Sequence, residues 1–128
     1  MINRITLITL GVKDIQKSKE FYVGLGFKIK KERPTMIDFE IEGTDFSIFP
    51  IDMLARDVNP ENPPEIINGF SGTTLAHNPA TKEDVDRIYQ KVIELGGTPQ
   101  TAPRKAIYWD GYHFYFRDLD GHYWEIAN

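Results

Sequence analysis

The sequence predicts an α+β fold in which one βαβββ unit is used twice in tandem. Short β-branched and aromatic runs surround only two amphipathic helical stretches. The order strand, helix, strand, strand, strand occurs in each half of the chain. The segment "EIEGTDFSIFP" in the first half also matches "DLDGHYWEIAN" in the second, each an acidic turn with glycine followed by a last strand. In this overlay Ser47 takes the place of Glu125.

The first unit begins with the strand "RITLITLGV" (Arg4 to Val12). Asp14 supplies a helix cap, and Ile15, Ser18, Tyr22 and Leu25 recur at the spacing of one helical face. "GLG" at Gly24 to Gly26 ends that helix. "FKIKKE", "MIDFEI" and "DFSIFP" are the following strands, with a turn at Glu42-Gly43-Thr44 between the last two.

The second unit starts with "GTTLAHN" (Gly72 to Asn78). In "TKED", Thr81 caps a helix with an acidic residue three positions later, and Val85, Ile88, Tyr89, Val92 and Leu95 form its apolar stripe. Gly96-Gly97 stop it, and "TPQTA", "YHFYFR" and "HYWEIA" complete the strands. Module one thus runs over 1–50 and module two over 70–128 of a single domain. The segment 51–69, rich in proline towards its end, reads as a linker.

Composition narrows the function. The 128 residues are 41% hydrophobic and 27% charged, the balance of a soluble globular domain. The charge sum, 15 − 19 = −4, comes from intermixed signs, so no basic stripe exists to follow a phosphate backbone. The chain has no cysteine, which excludes disulfides, thiolate catalysis and Cys-based zinc sites. No run has the length of a membrane span, and the opening "MINRITLITLGV" is no signal peptide, so a cytoplasmic location is expected.

Glu125, between Trp124 and Ile126, is the conspicuous residue. A solvent-facing carboxylate on a half-exposed sheet is one reading and a polar group in a binding site the other. The "DLDG" turn, with Gly121 left-handed, sets Phe116 opposite Trp124 and Tyr115 opposite Glu125. Alternation then puts Phe114, Phe116, Trp124 and Ile126 on one face and His113, Tyr115, Tyr123 and Glu125 on the other. The second set has the character of a small-molecule site.

Three stretches, "ITLGVKDIQKSKEFYVGLGF", "TLAHN" and "YFRDLDGHYWEIA", resemble the vicinal oxygen chelate superfamily of glyoxalases, bleomycin resistance proteins and extradiol dioxygenases. They lie near the start, in the middle and at the end of the chain, in the family's order. The resemblance implies paired βαβββ modules whose curved mixed sheets enclose a ligand cavity, in preference to a ferredoxin-like arrangement. It also implies a metal-binding His at His77 and a Glu at Glu125, with Zn, Ni, Fe or Mn as the metal. The remaining family positions fall on Leu7, which cannot ligate, and Ser47, a poor ligand. Two protein ligands are fewer than catalytic zinc or the iron facial triad requires. His113 is the substitute third candidate, while His122, beside the turn, is expected to be exposed.

The leading expectation is therefore a binder of small, flat, cationic molecules in an aromatic, acidic cavity without a complete metal site. Its contacts would come from His113, Tyr115, Tyr123 and Trp109, with Thr9 and Ser47 from the first module. Glu125 is the catalytic candidate in the alternative, a metal-dependent lyase, isomerase or dioxygenase acting on an oxygen-rich small molecule. An interaction module without pocket chemistry is the third class. A homodimer is what the resemblance implies.

Overall fold

Each half of the chain folds around its own four-strand path, as a computed structural model of all residues 1–128 shows. Contacts divide the chain into unit 1, Met1–Ile67, and unit 2, Asn68–Asn128.

In unit 1 the elements are β1 (Leu7–Val12), α1 (Ile15–Leu25), β2 (Lys28–Arg33), β3 (Met36–Glu40), β4 (Asp45–Pro50) and α2 (Ile51–Val58). The sheet order is β1-β4-β3-β2, with β1 parallel to β4 and the other pairs antiparallel. Asp14 caps α1 by accepting the Lys17 N–H, and Gly26, at φ 113°, closes it. The core is aromatic. Tyr22 is fully buried and lies 5.5 to 5.7 Å from the rings of Phe27, Phe39 and Phe46. Phe21 is buried as well, which widens the expected helical stripe by one residue.

α2 is the element that sequence reading missed. The segment expected to be a linker starts with this two-turn helix, because the chain leaves β4 through Pro50 and folds back on β1. The approach is close: a Cβ at Gly11 would lie 2.8 Å from Ile51 Cγ1. Only glycine fits there without a shift.

Unit 2 contains β5 (Thr74–His77), α3 (Lys82–Glu94), β6 (Thr98–Pro99), β7 (Arg104–Lys105), β8 (Tyr112–Arg117) and β9 (Tyr123–Ala127). Its sheet follows β5-β9-β8-β6, so the order of the first unit recurs, and β7 adds a short pairing to β8. The expected strand over "TPQTA" is only two residues long, and the next pairing falls instead at Arg104–Lys105. Thr81 caps α3 by accepting the Asp84 N–H, and its hydroxyl donates to the Asp84 carboxylate. Val85 and Val92 are fully buried, and Tyr89 meets Phe114 edge-on at 5.3 Å. Below them Phe116 and Trp124 stack, 6.4 Å apart and 6° from parallel.

The β8–β9 turn is held by a buried carboxylate. Asp118 Oδ1 accepts the backbone N–H groups of Asp120 and His122, both at 2.9 Å. His122 Nδ1 sits 2.9 Å from Asp118 Oδ2, so this histidine is half-buried and paired, not exposed as expected. Burial opposes its protonation, but the hydrogen bond and charge of Asp118, with the charge of Asp120, outweigh burial and raise its pKa. A raised folded-state value stabilises the protein fully below the unfolded value of about 6.5 and stops doing so as pH rises through the folded value. Urea midpoints should therefore fall between slightly acidic and slightly alkaline pH, and His122→Gln should remove that part of the slope. Identical pH profiles for the two proteins would refute the role of the pair.

Candidate functional site

The pairing of β8 with β9 decides which side chains share the outer face of unit 2. His113 pairs with Ala127, Phe114 with Ile126, Tyr115 with Glu125, Phe116 with Trp124, and Arg117 with Tyr123. This is the register read from the sequence, with Gly121 at φ 90° in the turn. Phe114, Phe116, Trp124 and Ile126 are buried on the helix side. His113, Tyr115, Tyr123 and Glu125 are all half-buried on the other side.

Glu125 is the hub of that face. Its Oε1 lies 2.7 Å from His113 Nδ1, and the two side chains are 17% and 13% exposed. Tyr115 is the second neighbour. Burial first, then the Glu125 charge and a hydrogen bond to its carboxylate, raise the Tyr115 pKa. The phenol keeps its proton at neutral pH and faces Glu125 from the paired position on β8. A carboxylate offers about four lone-pair positions, so the His113 contact leaves room for a donor from a ligand.

Aromatic rings continue the face at both ends. Trp109 stands edge-on to His113 at 5.2 Å, and His113 edge-on to Tyr115 at 5.5 Å. The Trp109 indole folds back over its own loop, in space that a Cβ at Gly111 would occupy. Phe70 stands edge-on to Tyr123 at 5.2 Å. Sequence reading missed Phe70, which lies in a stretch without regular structure where no pattern assigns a direction.

Two cations share this face, and they correct the expectation of an acidic site. Arg117 pairs with Tyr123 and Arg104 with His113, so both stand on the Glu125 side of the sheet. Alternation along "YHFYFR" places Arg117 directly. Arg104 was hidden because its strand has only two residues.

The metal positions fare differently. In the parallel pairing of β5 with β9, Ala76 is beside Glu125 and His77 beside Ile126. Paired residues point to the same side, so His77 belongs to the face opposite Glu125 and is exposed at the strand end. The two residues expected to ligate together do not share a face. On β5 the residues that share the Glu125 side are Thr74 and Ala76, and alanine has no donor atom. His113 has its Nδ1 turned to Glu125, and within this unit no three His, Asp or Glu side chains group as a metal requires. The donor set of unit 2 does not fit the implied metal.

In unit 1, Leu7, Thr9 and Ser47 share the face away from the aromatic core, since Leu7 pairs with Asp45 and Thr9 with Ser47. Leu7 is exposed and apolar. Ser47, in contrast, is 1% exposed, and its hydroxyl donates to Asp38 Oδ1 at 2.6 Å. Asp38 in turn accepts from Arg33. That hydroxyl is committed within the sheet.

A model of the glyoxalase/bleomycin resistance protein/dioxygenase superfamily matches residues 2–126. A glyoxalase-related enzyme from Fulvimarina pelagi is 27% identical, with TM-score 0.88 over 98% of this chain and 88% of that one. A hypothetical protein from S. aureus is 28% identical, with TM-score 0.82 over 99% and 94%. A lactoylglutathione lyase from Agrobacterium tumefaciens, 17% identical, shares the fold at TM-score 0.71 over 99% and 94%. No curated protein matches the chain by sequence. No helix is long and apolar enough to cross a membrane.

Proposed function

The chain belongs to the glyoxalase/bleomycin resistance protein/dioxygenase superfamily, and we propose that it binds a flat small molecule on the aromatic face of unit 2 without a complete metal site. One observation carries this reading: a half-buried carboxylate, Glu125, held by His113 and paired with Tyr115 among aromatic rings. Such a surface offers stacking area and one fixed acceptor. Arg104 and Arg117 on the same side argue against selection by net positive charge. The ligand is instead chosen by an N–H or amino group aimed at Glu125. The metal-dependent lyase, isomerase or dioxygenase reading draws its support from the family alone. A homodimer is part of the same proposal and is checked by light scattering.

Thermal shift tests the binding reading. A bound ligand at 100 times its dissociation constant adds about 2.7 kcal/mol to stability. Aminoquinoline should raise the melting temperature, and Glu125→Gln should remove most of that rise. Naphthoate, equally flat but without an N–H donor, should give less. An equal rise with naphthoate, unchanged in Glu125→Gln, would overturn the proposal.

A further inference from the structure

His113 carries a ring nitrogen that nothing in the protein uses. Its Nδ1 lies 2.7 Å from Glu125 Oε1. A carboxylate only accepts, so Nδ1 holds the proton and the neutral ring keeps its lone pair on Nε2. Nε2 has no partner within the protein and is not closed off from solvent, although the side chain is only 13% exposed. Trp109 and Tyr115 stand nearly perpendicular to the ring, at 5.2 and 5.5 Å. A carboxylate that fixes one ring nitrogen and leaves the other free is the arrangement that makes histidine a general base.

A proton taken by Nε2 leaves negative charge on the molecule that gave it. Arg104 holds the position paired with His113 on the same side of the sheet, where cross-strand Cβ atoms lie about 5 Å apart. O–H and N–H protons exchange without help, so a fixed base matters most for a C–H proton. The neighbouring indole and phenol rings favour a flat molecule as its bearer.

We propose that His113 is the catalytic base of a proton abstraction from a flat carbon acid, with Glu125 as its positioning residue. Nε2 takes the proton. Glu125 keeps the reactive tautomer and stabilises the imidazolium that forms. This activity goes beyond the binding reading and shares Glu125 with it.

The probe is 5-nitrobenzisoxazole, a flat carbon acid with no N–H group. When a base removes its C3 proton, the C–H electron pair forms the third bond of a nitrile. The N–O bond breaks, and its pair leaves on a coloured phenolate oxygen. No metal or co-reactant enters the balance. The protein should turn the probe over with saturation, faster than free imidazole at equal concentration. His113→Gln should lose at least about tenfold in kcat, and added imidazole should restore part of the rate to His113→Ala. Glu125→Gln should lower kcat about three- to tenfold with KM within about twofold, since the probe has no donor for the anchor. His77→Gln, on the opposite face, should keep the wild-type rate. If His113→Gln does not fold, carbethoxylation of His113 by diethyl pyrocarbonate should abolish turnover and hydroxylamine should restore it.

Turnover no faster than imidazole, or retained when His113 is replaced or carbethoxylated, overturns the proposal. A Glu125→Gln effect on KM alone does so too. If turnover fails while aminoquinoline still responds to Glu125→Gln, this proposal falls and the binding reading stands. The reverse pattern removes the binding reading alone.

Discussion

Trp124→Ala is expected to cost about 3–5 kcal/mol of stability, whereas Tyr123→Ala, one residue away, should cost well under half of that. Trp124 is 7% exposed and stacks on the fully buried Phe116, so truncation leaves a large cavity beneath α3. Tyr123 is half-buried on the opposite face and touches the exposed ring of Phe70. A domain of this kind is stable by about 5–15 kcal/mol, so the first loss is a large fraction of the whole. Urea unfolding followed by circular dichroism measures both variants. If Trp124→Ala does not fold, Trp124→Phe keeps a ring in place and should still lose more than Tyr123→Ala. Comparable losses at the two positions would mean that the strand does not divide into a core face and an outer face.

That division was legible because two independent constraints agree on it. The "DLDG" turn sets the register of the hairpin, and the apolar alternation admits no slip by one residue. The repeat was legible for a similar reason, since Gly43 and Gly121 occupy equivalent turns at φ 85° and 90°. What failed was the counting on β5. Leu7 lies seven residues before the cap Asp14, and seven before the cap Thr81 is Thr74, not His77. The sheets agree, since Thr9 pairs with Ser47 as Ala76 pairs with Glu125, which makes Leu10 the counterpart of His77. A histidine attracted the metal role by its chemistry although its place in the period put it on the other face. α2, Phe70 and Arg104 were hidden for another reason. For Phe70 and Arg104 it is where a loop comes to rest, whereas α2 had a local signal, Ile51, Leu54, Ala55 and Val58 at helical spacing, masked by the prolines that follow.

Asp118→Ala should give the second large effect, about 3 kcal/mol of destabilisation together with weaker ligand binding. Asp118 is 5% exposed and accepts two backbone N–H groups, while His122 Nδ1 sits 2.9 Å from its second oxygen. Hydrogen bonds to a charged group are worth about 1.5–3 kcal/mol each, but those sharing one carboxylate do not add fully. Asp118→Asn keeps an acceptor for the amides and loses the charge facing His122, so about half the loss is expected. The effect on binding follows from position. Asp118 also donates its own N–H to the His122 carbonyl, closing the hairpin that sets Tyr115 opposite Glu125. Loosening the turn lets the ends of the two strands fray, and the Glu125 carboxylate and Tyr115 phenol then face each other less rigidly. Aminoquinoline should therefore bind more weakly to the folded Asp118→Ala protein, although Asp118 touches no ligand. A loss of stability below about 0.5 kcal/mol would show that the carboxylate is solvated rather than built into the turn. A full loss of stability with unchanged affinity would show that the Tyr115–Glu125 pair holds its own register without the turn.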